Sequence, residues 1–196
     1  LSAPQSNPAT YADLEKVPPH LVAELIDGAL VTHPRPAPRH AIAGTNLGME
    51  LGLPFQKGRG GPGGWVFVDE PELHFGADVV VPDIAAWRVE RFPGVPKTAY
   101  FEVSPDWACE IMSPSTIRYD RGAKRIIYAR AGVSFLWLLD PVEQVLEAFA
   151  LVGEQWLLAG TATGAEDVRL PPFEAISFPL SNLFPFDAPK SSEPTA

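Results

Sequence analysis

Three acidic residues stand inside apolar runs: Glu24 in "LVAELIDG", Asp83 in "VVVPDIAAW" and Glu110 in "WACEIM". A carboxylate taken out of water is costly unless donors or a cation compensate it, and strands are generally poor in acids. Such acids lie on a solvated face, pair with basic residues, or bind a cation. Alternation along a strand puts Trp107, Cys109 and Ile111 on one face of "WACEIM" and Ala108, Glu110 and Met112 on the other. By the same rule Asp83 shares its face with Val81 and Ala85. The segment that follows Glu110, "STIRYDRGAKRIIYARAG", predicts one helix closed by Gly132. At about 100° per residue it gathers Ala123, Ile126 and Ile127 on one side and a basic stripe of Arg118, Arg121 and Arg125 on the other. Asp120 and Lys124 fall together between these faces.

Hard divalent cations take oxygen ligands and keep several waters, which suits a site of two or three carboxylates. The one cysteine, Cys109, excludes an internal disulfide framework and any CxxC zinc site. His20, His33 and His74 show no metal-ligand spacing. His40 reads either as a partly exposed histidine at a helix start or as a group that supports the site or touches substrate. Ser113 and Ser115 flank Pro114 at a helix start, where capping is the ordinary role, and no GxSxG elbow argues for a nucleophile.

These groups need elements to position them. "TYADLEKV" predicts a short helix between Thr10 and Pro18. "HLVAELIDGALVTH" predicts a hairpin through Asp27-Gly28, with Glu24 in its first arm. "RHAIAGTNLGMELGLPF" predicts a helix ended by Pro54. The GxGxxG at Gly58, Gly60 and Gly63 lies after a helix and before the strand-like "WVFVDEPEL", the reverse of a dinucleotide-binding context. It predicts a flexible loop instead. "ADVVVPDIAAW" reads as one strand with Pro82 inside it, hence an edge or a bulge. "VSFLWLLDP" predicts a buried central strand, and "QVLEAFALVGEQWLLAG" a hairpin through Gly153-Glu154. Trp65, Trp87, Trp107, Trp137 and Trp156 fall mostly in these strands, as core or interface residues do. The class is α/β or α+β with a mixed sheet.

The 196 residues suit one domain over 11–186 with loose tails over 1–10 and 187–196. No apolar run approaches membrane-spanning length and the start lacks the features of a secretory signal, so the expected location is the cytoplasm. A net charge of -9 argues against non-specific coating of nucleic acid, and any contact with DNA must be local.

The ordered series "AELIDG", "RH" at 39 and 40, "VVPDI", "CEIMSPST", the Asp120 and Lys124 pair, and "YARAGVSFLWLLDP" resembles the Uma-two family of endonucleases. That family lies within the PD-(D/E)XK superfamily of restriction-endonuclease-like fold. The resemblance spans residues 10 to 160. It implies a mixed central sheet flanked by helices, with added hairpins. It also implies a divalent metal, Mg²⁺ or Mn²⁺, held by Asp83, Glu110 and the backbone carbonyl of Ile111, with Glu24 completing the catalytic set. The superfamily lysine usually stands two residues after the motif glutamate, where this chain has Met112; the resemblance transfers its role to Lys124, supported by Asp120 and His40. DNA is the implied substrate, with Arg35, Arg39, Arg118, Arg121 and Arg125 as local contacts, and a homodimer is implied by analogy. A nuclease fold without activity is the alternative that Met112 and the acidic charge favour. A cupin-type enzyme would want histidines two apart, which this chain lacks.

Overall fold

The computed structural model describes residues 7–92 and 94–185; the expected tail over 187–196 and residues 1–6 of the other tail lie outside them. In chain order the elements are α1 (Tyr11–Leu14), β1 (Leu21–Ile26), β2 (Ala29–Pro34), α2 (Pro38–Leu51), β3 (Trp65–Asp69), β4 (Glu72–Phe75), β5 (Asp78–Val80), β6 (Ile84–Arg88) and β7 (Tyr100–Phe101). There follow β8 (Trp107–Ile111), α3 (Ile117–Asp120), α4 (Ala123–Arg130), β9 (Phe135–Asp140), β10 (Val145–Val152), β11 (Gln155–Thr163), β12 (Asp167–Val168) and β13 (Phe178–Pro179).

The mixed central sheet is there as expected; the strands form two mixed sheets, beside a two-stranded pair of β12 and β13. The smaller runs β2-β1-β5-β4-β7 and the larger β11-β10-β9-β8-β6-β3. The larger sheet is covered on both faces, which explains the unbroken apolar run of β9, parallel to β8 at its centre. Trp107, Cys109 and Ile111 pack with α2 and with Phe173, Phe178 and Leu183 of the C-terminal segment. Ala108 and Met112 point the other way, toward α4 and the smaller sheet. Each large side chain here, such as the fully buried Trp107, Trp137 and Phe173, contributes roughly 1.5–3 kcal/mol by leaving water.

The departures from the sequence reading lie around the candidate acids. "ADVVVPDIAAW" is two strands in different sheets: β5 ends at Val80, β6 begins at Ile84, and Pro82 lies in the crossing. Both strands are interior, so Pro82 marks neither an edge nor a bulge; it lacks an N–H and sits where no ladder bond is needed. The expected single helix after Glu110 is two, because Gly122 (φ -113, ψ -105) breaks it. A Cβ at that position would stand 2.7 Å from the carbonyl oxygen of Arg118. Pro54 does not end its helix; a π turn over Gly52–Gln56 carries the chain past it, closed by the Lys57 N–H on the Gly52 carbonyl at 3.0 Å. The glycine loop that follows is pinned rather than flexible, with the Gly63 N–H on the Pro54 carbonyl at 2.9 Å and Gly61 against Pro54 with no room for a Cβ.

Candidate active site

Glu24 is fixed by its hairpin. Asp27 and Gly28 both take left-handed backbone angles (φ 49 and 77), as a two-residue hairpin turn requires, and set the pairing Glu24↔Val31 and Val22↔His33. His33 is therefore a diagonal neighbour on the face of Glu24, its Nε2 3.4 Å from Glu24 Oε2. The other oxygen of Glu24 accepts from the Val81 N–H at 2.8 Å and pairs with Lys124 Nζ at 2.9 Å.

Asp83 stands in the crossing between the sheets. Its Oδ1 lies 2.7 Å from His40 Nε2 on α2, and its Oδ2 accepts the Ile111 N–H at 2.6 Å. Glu110 points from β8 toward α4, as strand alternation requires, and its Oε1 takes a bond from Lys124 Nζ at 2.8 Å and another from the Tyr128 hydroxyl. Lys124 spends its three hydrogens on Glu24, Glu110 and the Val81 carbonyl (3.3 Å), with Asp120 Oδ1 at 3.8 Å. Glu24, Glu110, Asp120 and Lys124 are all 2% exposed or less.

Electrostatics follow from one ammonium shared among three buried carboxylates. Burial alone would lower the Lys124 pKa, but Glu110, Glu24, Tyr128 and Asp120 reverse this and hold it well above the ordinary value, so it stays charged. For Glu24 burial acts upward, yet Lys124, His33 and the Val81 N–H bring it down to about 2. Burial raises Glu110 well above the carboxylate range; Lys124 opposes this, and Asp120, Asp83 and Glu24 reinforce it. Asp120 is raised as well, chiefly by burial. The bond to Glu24 raises His33. The site is thus short of positive charge at Glu110.

That deficit bears on whether a cation fits. A cavity of about 230 Å³ is lined by Asp83, Glu110, His40, Glu70, Ser113 and Lys124, among others. Among the described residues no three His, Cys, Asp or Glu side chains form a ready-made cage. Mg²⁺ seldom uses such cages: one or two carboxylates hold it, and water and phosphate complete its shell. Asp83 and Glu110 are a donor pair of that kind, and each Asp83 oxygen accepts one hydrogen bond with a lone pair to spare. The residues present therefore fit a water-completed divalent ion.

The structure brings Asp83, Glu110, Lys124, Glu24, Asp120 and His40 together. It does not bring all the arginines with them. Arg35 lines the same cavity and pairs with Glu70 at 3.2 Å, and Arg39 precedes His40 on α2. Arg118 lies over the Tyr119 ring. Arg121, bonded to Glu147 at 2.6 Å, and Arg125, stacked on Phe149, line a separate groove between α4 and β11. Ile126, expected inside, is half exposed, and Tyr128 takes its place in the core. Ser113 caps nothing; its hydroxyl bonds those of Ser115 and Thr116. Sequence reasoning missed Tyr128 and His33, although both signals were present: Tyr128 lies four residues from Lys124 on one helix face, and the hairpin register alone puts His33 beside Glu24.

The model of the Uma2 family, described as "Putative restriction endonuclease", matches residues 8–181. Among solved structures, the crystal structure of a "putative nuclease belonging to DUF820" from Anabaena variabilis is similar with a TM-score of 0.70 and 22% identity, covering 91% of this chain and 98% of that one. At that identity the likeness is one of fold, and the mixed α+β architecture is shared. No curated protein matches the chain.

Proposed function

The chain belongs to the Uma2 family, and from that premise we propose that it is an endonuclease hydrolysing phosphodiester bonds of DNA, with Mg²⁺ or Mn²⁺ held by Asp83, Glu110 and the Ile111 carbonyl. The observation that carries this reading is the buried Lys124, bonded to Glu24 and Glu110 at the wall of a cavity that Asp83 also lines. A divalent ion bound there would lower the pKa of a water and offset charge on the phosphate.

The chain's own residues have separable tasks in this proposal. His40 and the Ile111 N–H fix the Asp83 carboxylate from both sides. Tyr128 and Lys124 hold one oxygen of Glu110. Lys124 supplies a fixed positive charge beside the phosphate position, and Glu24 with Asp120 keeps it in place. Arg35, Arg39 and Arg118 supply the local positive charge for a DNA strand, and the groove holding Arg121 and Arg125 would be reached only by a longer duplex.

The test is calorimetric titration of Mn²⁺ into wild type and Asp83→Asn, followed by supercoiled plasmid with Mg²⁺, Mn²⁺ or chelator. Binding that D83N abolishes, with cation-dependent nicking, is the expected result. Nicking that survives both the chelator and D83N would overturn the proposal. A second reading, a nuclease fold without activity, is favoured by Met112 at the usual lysine position and by Lys124 having all three hydrogens engaged. It predicts neither binding nor nicking.

A further inference from the structure

A second cavity, of about 600 Å³, lies between α2 and β3. It meets the smaller cavity of the cluster at Pro36, His40, Glu70 and Asp83, so Asp83 stands in the wall of both. Its volume is that of a small-molecule site. Gly44, Gly48 and Gly52 line it along one face of α2, with Phe67 on β3 and with Met49 and Leu53, which are 53% and 50% exposed. Glycine inside a helix is less stable than alanine, so it calls for a reason. Gly44 has one in packing, since a Cβ there would stand 3.0 Å from Ile111 Cδ1. Gly48 and Gly52 have none within the chain: neither takes a left-handed angle, and a Cβ on either would meet nothing beyond its own helix within 4 Å. The space they keep open lies in the cavity, beside two large apolar side chains left half in water.

We propose, resting on the nuclease reading above, that this groove receives an unpaired nucleoside next to the scissile phosphate, so that the substrate is single-stranded or locally unwound DNA. A strand whose phosphate lies at Asp83 runs into the cluster cavity on one side and into the α2 groove on the other. The groove has room for a nucleotide, whereas a turn of duplex is about 34 Å long. Bases in a duplex are stacked on both faces and leave nothing for Met49, Leu53 and Phe67 to touch. An unpaired base offers its faces to such side chains, and contacts of that kind hold a strand with little regard to sequence. Charge selects the same part of the nucleotide. Asp69 and Glu70 line the β3 side and repel phosphate, which leaves the middle of the groove to the neutral base. Lys57, beyond the far end of α2, is placed for a phosphate further along the strand.

Fluorescence anisotropy of a labelled single-stranded oligonucleotide and of its duplex tests this, in Ca²⁺, which takes the same oxygen ligands as Mg²⁺. Wild type is expected to hold the single strand about tenfold or more tighter than the duplex. Gly48→Leu fills the groove and is expected to weaken single-strand binding about tenfold or more. Leucine favours the helix and a Cβ at 48 has room, so G48L should melt at or above the wild-type temperature and bind Mn²⁺ as wild type does. If G48L fails to fold, Met49→Asp decides, since this half-exposed side chain can change without loss of core and its charge should weaken the single strand alike. Binding of neither DNA form, equal affinity for the two, or a folded groove variant that binds the single strand as wild type does would overturn the proposal. Cleavage keeps it apart from the nuclease reading. Single-strand binding that the groove variant loses, with no DNA hydrolysed, would retain the groove and refute the nuclease. Relaxed duplex cut as fast as single strand would retain the nuclease and refute the groove. Negatively supercoiled plasmid, which unwinds locally, should be nicked well ahead of relaxed plasmid.

Discussion

Replacing Lys124 with Met removes the ammonium set among three carboxylates, Glu24, Glu110 and Asp120. Methionine matches the stem of lysine in volume, so packing changes little, and the cost is chiefly electrostatic. Breaking a buried ion pair by removing one partner costs about 3–5 kcal/mol. At this chain length that corresponds to a fall in melting temperature of roughly 6–20 °C. The sign with pH follows from linkage. Without the ammonium, Glu24 rises above its unfolded value, and Glu110 and Asp120, already raised by burial, rise further. Stability is then fully present below the unfolded carboxylate value and is lost as pH rises through the folded one. K124M should therefore lie closest to wild type near pH 4 and far below it near pH 8, in urea denaturation followed by tryptophan fluorescence. Adding Glu24→Gln should restore much of the loss at the higher pH, since the amide still accepts from the Val81 N–H and carries no charge. An equal penalty at both pH values, with no rescue by E24Q, would show that Lys124 matters for packing and refute the shared-ammonium account. K124M should also abolish nicking while sparing Mn²⁺ binding; nicking at the wild-type rate would remove Lys124 from the proposed chemistry.

Glu24, held at about 2 against an ordinary 4.5, contributes stability that is present above the unfolded value and lost as pH falls toward 2. The loss is on the order of 3 kcal/mol, and an acid titration of E24Q should be flatter than wild type over that window. Tyr128→Phe removes a buried donor from Glu110 and should cost about 1–3 kcal/mol in a urea melt; no change would exclude the hydroxyl from the network. Cys109 is fully buried and its thiol is pushed up in pKa, chiefly by burial, so alkylation should proceed only as fast as the chain unfolds. Rapid modification of the native protein would contradict the packing of β8.

Local rules sufficed where one element decides. The Asp27-Gly28 turn fixed the register that buries Glu24, and strand alternation sent Cys109 and Glu110 to opposite faces. They failed where tertiary context decides. Pro82 looked like a bulge because nothing nearby says that the chain changes sheets there. The faces of α4 were misassigned because a hydrophobic pattern counts lysine as outward. Here Lys124 is drawn inside by two acids remote in sequence, and the turn of the helix that follows leaves Ile126 in water. Conflicts between pattern and place of this sort gather at functional sites. Arg121 and Arg125 share a helical stripe with Arg118 in projection, but the break at Gly122 and the partners Glu147 and Phe149 turn them to another surface.

The crossing at Val81–Asp83 is one of several between the two sheets, and its fastenings are also the fastenings of the cluster. Val81 donates its N–H to Glu24 and its carbonyl accepts from Lys124, the Asp83 carbonyl accepts from the Glu70 N–H, and the Asp83 side chain ties β8 to α2. A nascent chain with one sheet formed holds an incomplete set of acids: Glu24 comes with the smaller layer, Glu110 with the larger, and Lys124 is anchored by both. The cluster therefore works as a latch that closes when the two halves dock. Whatever reactivity it supports begins only once assembly is complete, so truncated or half-folded copies carry none of it.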